Sequence, residues 1–188
     1  MPLLNKLRGL YQQMSQTFRY KMAAFKYMRK RIRFNGRIDI AHSTRLRTGS
    51  GEIVFKGFAE LGEFALLHAY NGCIEVGVNT HIGPFVCIYG QGNVTIGDNV
   101  LIGPGVKILS SNHSIEKHIP IRFQPDLLKP TVIESDVWIG ANAVILGGVT
   151  IETGAIVGAG SIVTKNIPSS AVALGNPAKV IKYRGSSI

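Results

Sequence analysis

The stretch 133-IESDVWIGANAVILGGVTIETGAIVGAGSIV-163 decides the fold, because Ile133, Ile139, Ile145, Ile151, Val157 and Val163 recur at a six-residue step without an error. That step fits neither the turn of a helix nor the plain alternation of a strand. It fits a parallel β-helix, in which each hexapeptide forms one flat side and its aliphatic residue points inward. Three sides make a triangular coil of about 18 residues, and stacked coils align Ile and Val into a continuous column. Upstream the same step runs through Val76, Ile82 and Ile88 and, after a slip, Ile96, Ile102 and Ile108, with a weaker trace at Phe55, Leu61 and Leu67. Glycine follows the aliphatic in 82-IGPFVC, 96-IGDNVL, 102-IGPGVK and 139-IGANAV. Gly and Asn at the corners permit a backbone that a Cβ would obstruct.

A chain of 188 residues, 45% hydrophobic, is sized for one domain with a terminal extension. No long apolar run and no signal-peptide core stand in it, so a cytoplasmic protein is expected. Cys73 and Cys87 lack metal-like spacing and read as small hydrophobes. The whole net charge of +10 lies before residue 38, in Lys6, Arg8, Arg19, Lys21, Lys26, Arg29, Lys30, Arg31, Arg33 and Arg37. The remaining body is neutral, which argues against a nucleic-acid binder, since that reading expects a basic face on the fold itself.

Within the basic segment Leu3, Leu7, Leu10, Met14, Phe18, Met22 and Phe25 follow helical spacing, with Arg8, Arg19, Lys26 and Lys30 on a face beside the stripe. Such a helix could lie on an anionic membrane surface. The plainer reading is that it packs its stripe on the body or on a neighbouring subunit, since any amphipathic helix must bury its stripe somewhere. The expected organisation is a basic amphipathic helical extension over 1–37, a β-helix domain over 38–174 and a C-terminal cap over 175–188, where 175-GNPAKVIKYR reads as a turn leading to a strand or helical cap.

Between Ile108 and Ile133 the repeat breaks for an excursion over 114–131, 114-SIEKHIPIRFQPDLLKPT, with three prolines. Long loops on a rigid solenoid usually serve function, and His113 stands where this one departs.

Three segments, 96-IGDNVLIGPGVKILSSNH-113, 137-VWIGANAVILGGVTI-151 and 157-VGAGSIVTKNIPSSAVALGNPAKVI-181, resemble the left-handed β-helix (hexapeptide-repeat) acyltransferases, in the branch of galactoside, maltose, nodulation-factor and capsular-polysaccharide O-acetyltransferases. The resemblance covers about residues 74–183. It implies an all-β, left-handed parallel β-helix, a homotrimer with sites between adjacent subunits, and acetyl-CoA as co-substrate with no metal. By the same resemblance His113 is the general base. A sugar hydroxyl is a poor nucleophile toward a thioester unless its proton is removed as the bond forms, a task suited to an imidazole. Trp138 matches a residue lining the acyl and pantetheine channel. Ala141 and Ala159 match positions where the backbone meets the pantetheine arm. Thr164, Lys165, Lys179 and Lys182 match the cluster at the coenzyme's phosphates and adenine, although arginine is the commoner residue at the last two.

The departures fall on the acceptor side. Gln91 stands where galactoside-type enzymes carry an acceptor-binding aspartate, and Gly83 where they carry an asparagine; His81 and Gln91 are the candidate substrate-binding residues. With the basic helix, this points away from a small free sugar and toward a polymer repeat or lipid-linked glycan. Two alternatives stand beside this reading. One is N-acetylation of a nucleotide-linked amino sugar. The other is a zinc enzyme like the γ-class carbonic anhydrases, using His113, His118 and His81. The residue that orients His113 is open, with Glu116 nearest in sequence.

Overall fold

Each hexad takes up one side of a three-sided parallel β-solenoid, as the six-residue step requires. The computed structural model describes residues 31–185. The first face stacks Ile32–Phe34, Glu52–Phe55, Cys73–Val76, Val94–Ile96, Thr131–Ile133 and Thr150–Ile151. The second stacks Ile38–Ile40, Ala59–Leu61, Thr80–Ile82, Leu101–Ile102, Trp138–Ile139, Ile156–Val157 and Ala171–Gly175, and ends with Ala178–Tyr183. The third stacks Arg45–Arg47, Leu66–His68, Cys87–Tyr89, Lys107–Leu109, Val144–Ile145 and Ile162–Val163.

Register places every repeat aliphatic over its counterpart one coil away. Phe55, Val76, Ile96, Ile133 and Ile151 form one column, Leu61, Ile82, Ile102, Ile139 and Val157 the second, and Leu67, Ile88, Ile108, Ile145 and Val163 the third. All are buried. Burial of each such side chain contributes about 1.5–3 kcal/mol, so the columns are the source of stability.

Corners between the first and second faces carry Asn79, Asn99, Asp136, Gly154 and Ser170, all at φ between 56° and 74°. Left-handed backbone is cheapest for Gly, which has no Cβ, and for Asn and Asp, whose side chains bond locally; the Asn79 side-chain amide donates to Asn99 Oδ1 at 2.9 Å. The slip between Ile88 and Ile96 is the wider corner Gly90–Asn93, between the third and first faces. Two corners between the second and third faces depart from this economy. Phe64 and Phe85 sit there at φ 59° and 58°, exposed, with rings stacked 5.2 Å apart.

The ends differ from the sequence-based boundaries. Ile32–Phe34 already pairs with Ile53–Phe55, and the Phe34 ring stacks on Phe55 at 5.4 Å, so the coil starts inside the segment assigned to the basic extension. Charge concealed it: Arg33 pairs with Glu52 (3.1 Å), Arg37 with Asp39 (2.8 Å), and Arg31 donates to Ser50 O (2.7 Å). The amphipathic helix expected over 3–25 lies outside the described residues. At the other end the cap is an antiparallel hairpin of Ala171–Gly175 with Ala178–Tyr183, tied down by Arg184, which pairs with Asp136 at 2.7 Å and donates to Gly154 O at 3.0 Å. No helix among the described residues is long and apolar enough to cross a membrane.

The excursion is ordered. Ser111–His113 pairs antiparallel with Asp126–Leu128, forming a ribbon that leaves the corner between the third and first faces, with a 3-10 turn at Ile121–Phe123. Buried Gln124 clamps the tip, accepting from Glu116 N (2.7 Å) and donating to the carbonyls of Glu116 (2.8 Å) and Ile119 (2.5 Å).

Candidate active site

Ser110 sets the direction of the ribbon. It is fully buried; its Oγ donates to Tyr89 O (2.7 Å) and accepts from Gly92 N (2.9 Å), while Ser110 O accepts from Lys129 N (2.8 Å). A Cβ on Gly92 would lie 1.9 Å from Ser110 O, so only glycine lets the corner approach so closely. On the return strand Thr131 Oγ1 donates to Leu109 O at 2.7 Å, pinning the base of the excursion.

The ribbon register then pairs His113 with Asp126, and His113 Nδ1 lies 2.8 Å from Asp126 Oδ1. The other carboxylate oxygen accepts from Gln91 Nε2 at 2.7 Å, and Asn112 Oδ1 accepts from the His113 amide at 2.9 Å. A carboxylate on Nδ1 holds the imidazole proton there and leaves Nε2 as the acceptor. The His113 side chain is 66% exposed, so a substrate hydroxyl can reach it. The arrangement is an imidazole aimed by a carboxylate, with the carboxylate itself anchored by a neutral amide.

Asp126 was not singled out in the sequence, where it stands in 125-PDLL with no motif around it; only the ribbon register brings it to His113. Glu116, the nearer acid, has its main chain held by Gln124 and takes no hydrogen bond with His113. Gln91 joins the site through Asp126. His81 does not: it lies on the second face, its Nδ1 at 3.1 Å from Glu60 Oε2, with Leu101 as its outward neighbour one coil on. The three histidines of the zinc alternative are therefore spread between the second face and the excursion, and no group of three His, Cys, Asp or Glu among the described residues is placed to hold a metal.

Trp138 projects from the second face between Leu101 and Ile156, 52% exposed, over a shallow depression bordered by Asp136 and Arg184. Ala141 and Ala159 stack at the adjoining corner, where Gly160 N donates to Ala141 O (2.8 Å), and Lys179 and Lys182 lie exposed on the hairpin that extends the second face. Five of the expected coenzyme residues thus share one side. Thr164 and Lys165 are exposed at the corner after the third face, apart from them. That corner and the His113 ribbon lie opposite the second face, so one chain does not bring Trp138 to His113.

The cysteines are half-buried on the outer faces and not in the column. Burial pushes both thiols up, and Glu52 adds to this for Cys73, so neither is an activated nucleophile.

Residues 130–165 match the bacterial transferase hexapeptide (six repeats) family. The galactoside O-acetyltransferase of Escherichia coli K12 is 40% identical over 131 residues, 66% of this chain and 64% of that enzyme. The galactoside O-acetyltransferase of Lactococcus lactis is 34% identical over 137 residues, 69% of this chain and 65% of that enzyme. The chain thus spans just under two thirds of the length of these relatives. Among solved structures, a hexapeptide-repeat acetyltransferase of Vibrio cholerae complexed with acetyl coenzyme A superposes with a TM-score of 0.64 at 27% identity, covering 88% of this chain and 79% of that one. Residues 130–165 thus carry the hexapeptide repeat of this transferase family, and the chain has the left-handed parallel β-helix fold of hexapeptide-repeat acetyltransferases.

Proposed function

We propose that the protein is an acetyl-CoA-dependent O-acetyltransferase acting on a carbohydrate hydroxyl, with His113 as general base. The acceptor oxygen attacks the thioester carbonyl as its proton passes to His113 Nε2; the tetrahedral adduct collapses, breaking the C–S bond, and the leaving thiolate takes the proton back. No covalent enzyme intermediate is needed. The observation that carries this reading is the chain Gln91–Asp126–His113, which fixes the imidazole tautomer and leaves one nitrogen free on an exposed ribbon. The galactoside O-acetyltransferase relatives and the acetyl coenzyme A complex of the neighbour support the donor and the acceptor class.

The separation of Trp138 from His113 supports a homotrimer in which the coenzyme lies along the second face of one copy and meets the His113 ribbon of the next. Gln91 in place of an acidic acceptor ligand favours a glycan unit, polymeric or lipid-linked, over a free sugar, and the basic segment 1–30 supports peripheral contact with an anionic membrane.

Two measurements test the reading. Calorimetric titration of acetyl-CoA is expected to show saturable binding, weakened by about 2 kcal/mol or roughly 30-fold in Trp138→Ala, the loss typical of a buried aromatic anchor. Equal affinity in the variant would remove Trp138 from the coenzyme site. Thiol release from acetyl-CoA with carbohydrate acceptors is expected to fall roughly 10²-fold in kcat for Asp126→Ala, with coenzyme affinity retained, because a misaimed base loses productive geometry. A raised KM at unchanged kcat would show that Asp126 binds substrate and does not position His113.

A further inference from the structure

We infer that His68, Tyr70 and Tyr89, with Arg47 beside them, form a platform that binds an anionic glycan on the third face and leads it to the His113 ribbon. This rests on the acetyl-transfer reading and names the acceptor class for the same site.

Three rings meet there on the outside of the solenoid. His68 and Tyr70 stack at 3.6 Å between centroids, and Tyr89 stands edge-on to both, at 6.5 Å from His68 and 5.7 Å from Tyr70. All three are half-buried, and the backbone that carries Tyr70 is itself unusual. Tyr70 has φ 58°, while corners of this same edge carry Gly49, Asn93 and Gly148 in left-handed backbone. A bulky residue held in that region is strained and commonly marks a functional position. The His68 ring is held toward its neutral form, by burial first and by Arg47 second.

The platform is continuous with the site. His68 is in register with Tyr89, and Tyr89 with Leu109, which leads through Ser110 into the ribbon. Tyr89 O accepts from Ser110 Oγ, and Gln91, two residues on, holds Asp126. Neighbouring coils lie about 4.8 Å apart, close to the rise of one sugar residue along a glycan.

Charge identifies the ligand. The strands of the third face contain Arg45, Arg47 and Lys107 and no Asp or Glu. None of these cations has a carboxylate partner among the described residues, whereas the first face pairs Arg33 with Glu52 and Lys56 with Glu75, and the second pairs His81 with Glu60. Arginine takes a carboxylate in two parallel hydrogen bonds, and an aromatic face takes the C–H side of a sugar ring. A nucleobase would need an open slot between parallel rings, and the 3.6 Å stack leaves none.

The test uses the full chain and two matched probes, α1,4-linked hexagalacturonate and neutral maltohexaose, titrated calorimetrically at low and high salt. Hexagalacturonate is expected to bind at least tenfold tighter than maltohexaose and to weaken with salt. Tyr89→Ala and Arg47→Gln should each lose at least tenfold, and His113→Ala should bind within a few-fold of the parent. Equal affinity for the two probes, no binding of hexagalacturonate, or indifference to both substitutions would overturn the platform. A change in oligomeric mass in Tyr89→Ala would instead assign the cluster to contact with a second copy. Thiol release from acetyl-CoA is scored in parallel. Tyr89-dependent binding without His113-dependent release keeps the platform and sinks acetyl transfer, and release without such binding does the reverse.

Discussion

Replacing His113 with alanine is expected to lower kcat by about 10²- to 10⁴-fold, or roughly 3–5 kcal/mol in activation free energy, with acetyl-CoA affinity essentially unchanged. The size follows from the chemistry. An alcohol carries its proton until it reacts, so without an acceptor at Nε2 the attacking oxygen must develop positive charge in the transition state. The selectivity follows from the geometry. His113 lies on an exposed ribbon held by Ser110, Thr131 and Gln124, and among the described residues its side chain bonds Asp126 alone and contributes nothing to the buried columns. The variant should therefore melt with the parent and bind the coenzyme through the residues of the second face. Thiol release at saturating acetyl-CoA and acceptor is the readout. Turnover within tenfold of the parent would take His113 out of the mechanism, and lost coenzyme binding would make it a ligand for the donor.

The columns were legible in the sequence because the repeat is a direct image of the packing. A side chain that recurs every six residues must sit on the same wall of a three-sided coil, and Ile133, Ile139 and Ile145 each took their places on successive walls. The same logic located the excursion, since the chain there stops feeding the columns. It could not describe the excursion's interior. The antiparallel ribbon has a register set by Gln124 clamping the tip and by Thr131 pinning the base, neither of which follows a period. Asp126 was hidden for that reason, thirteen positions downstream of the histidine it meets. The first strand was hidden differently: Ile32–Phe34 is too short to show a step, and its flanking arginines matched the basic tail until Glu52 and Asp39 were brought to them. The aromatic cluster on the third face depends on which coil lies against which, and that required the width of the corner at Gly90–Asn93.

Ile133→Ala is expected to cost about 2–5 kcal/mol of unfolding free energy, and Ile115→Ala no more than about 0.5 kcal/mol, although the exchange of side chains is identical. Ile133 is fully buried, stacked between Ile96 and Ile151 in the first column, and it is the first column aliphatic after the chain returns from the excursion. Its truncation leaves a cavity whose walls are β-strands on three sides, and strands locked in register by their ladders cannot close inward to fill it. Ile115, on the excursion, is 80% exposed and leaves only water behind. At about 2–4 °C per kcal/mol for a chain of this size, Ile133→Ala should lower the melting temperature by roughly 4–20 °C. A solenoid transmits such a loss only to neighbouring coils, so the damage should centre on the strand Thr131–Ile133 that anchors the ribbon. Amide exchange is then expected to quicken first at Val132 and Glu134, whose N–H groups bond to Val149 O and Ile151 O, and at Gly97, which donates to Ile133 O. Equal melting of the two variants would mean that the excursion is packed as tightly as the column, and the division of the chain into a rigid solenoid and an outlying ribbon would have to be abandoned.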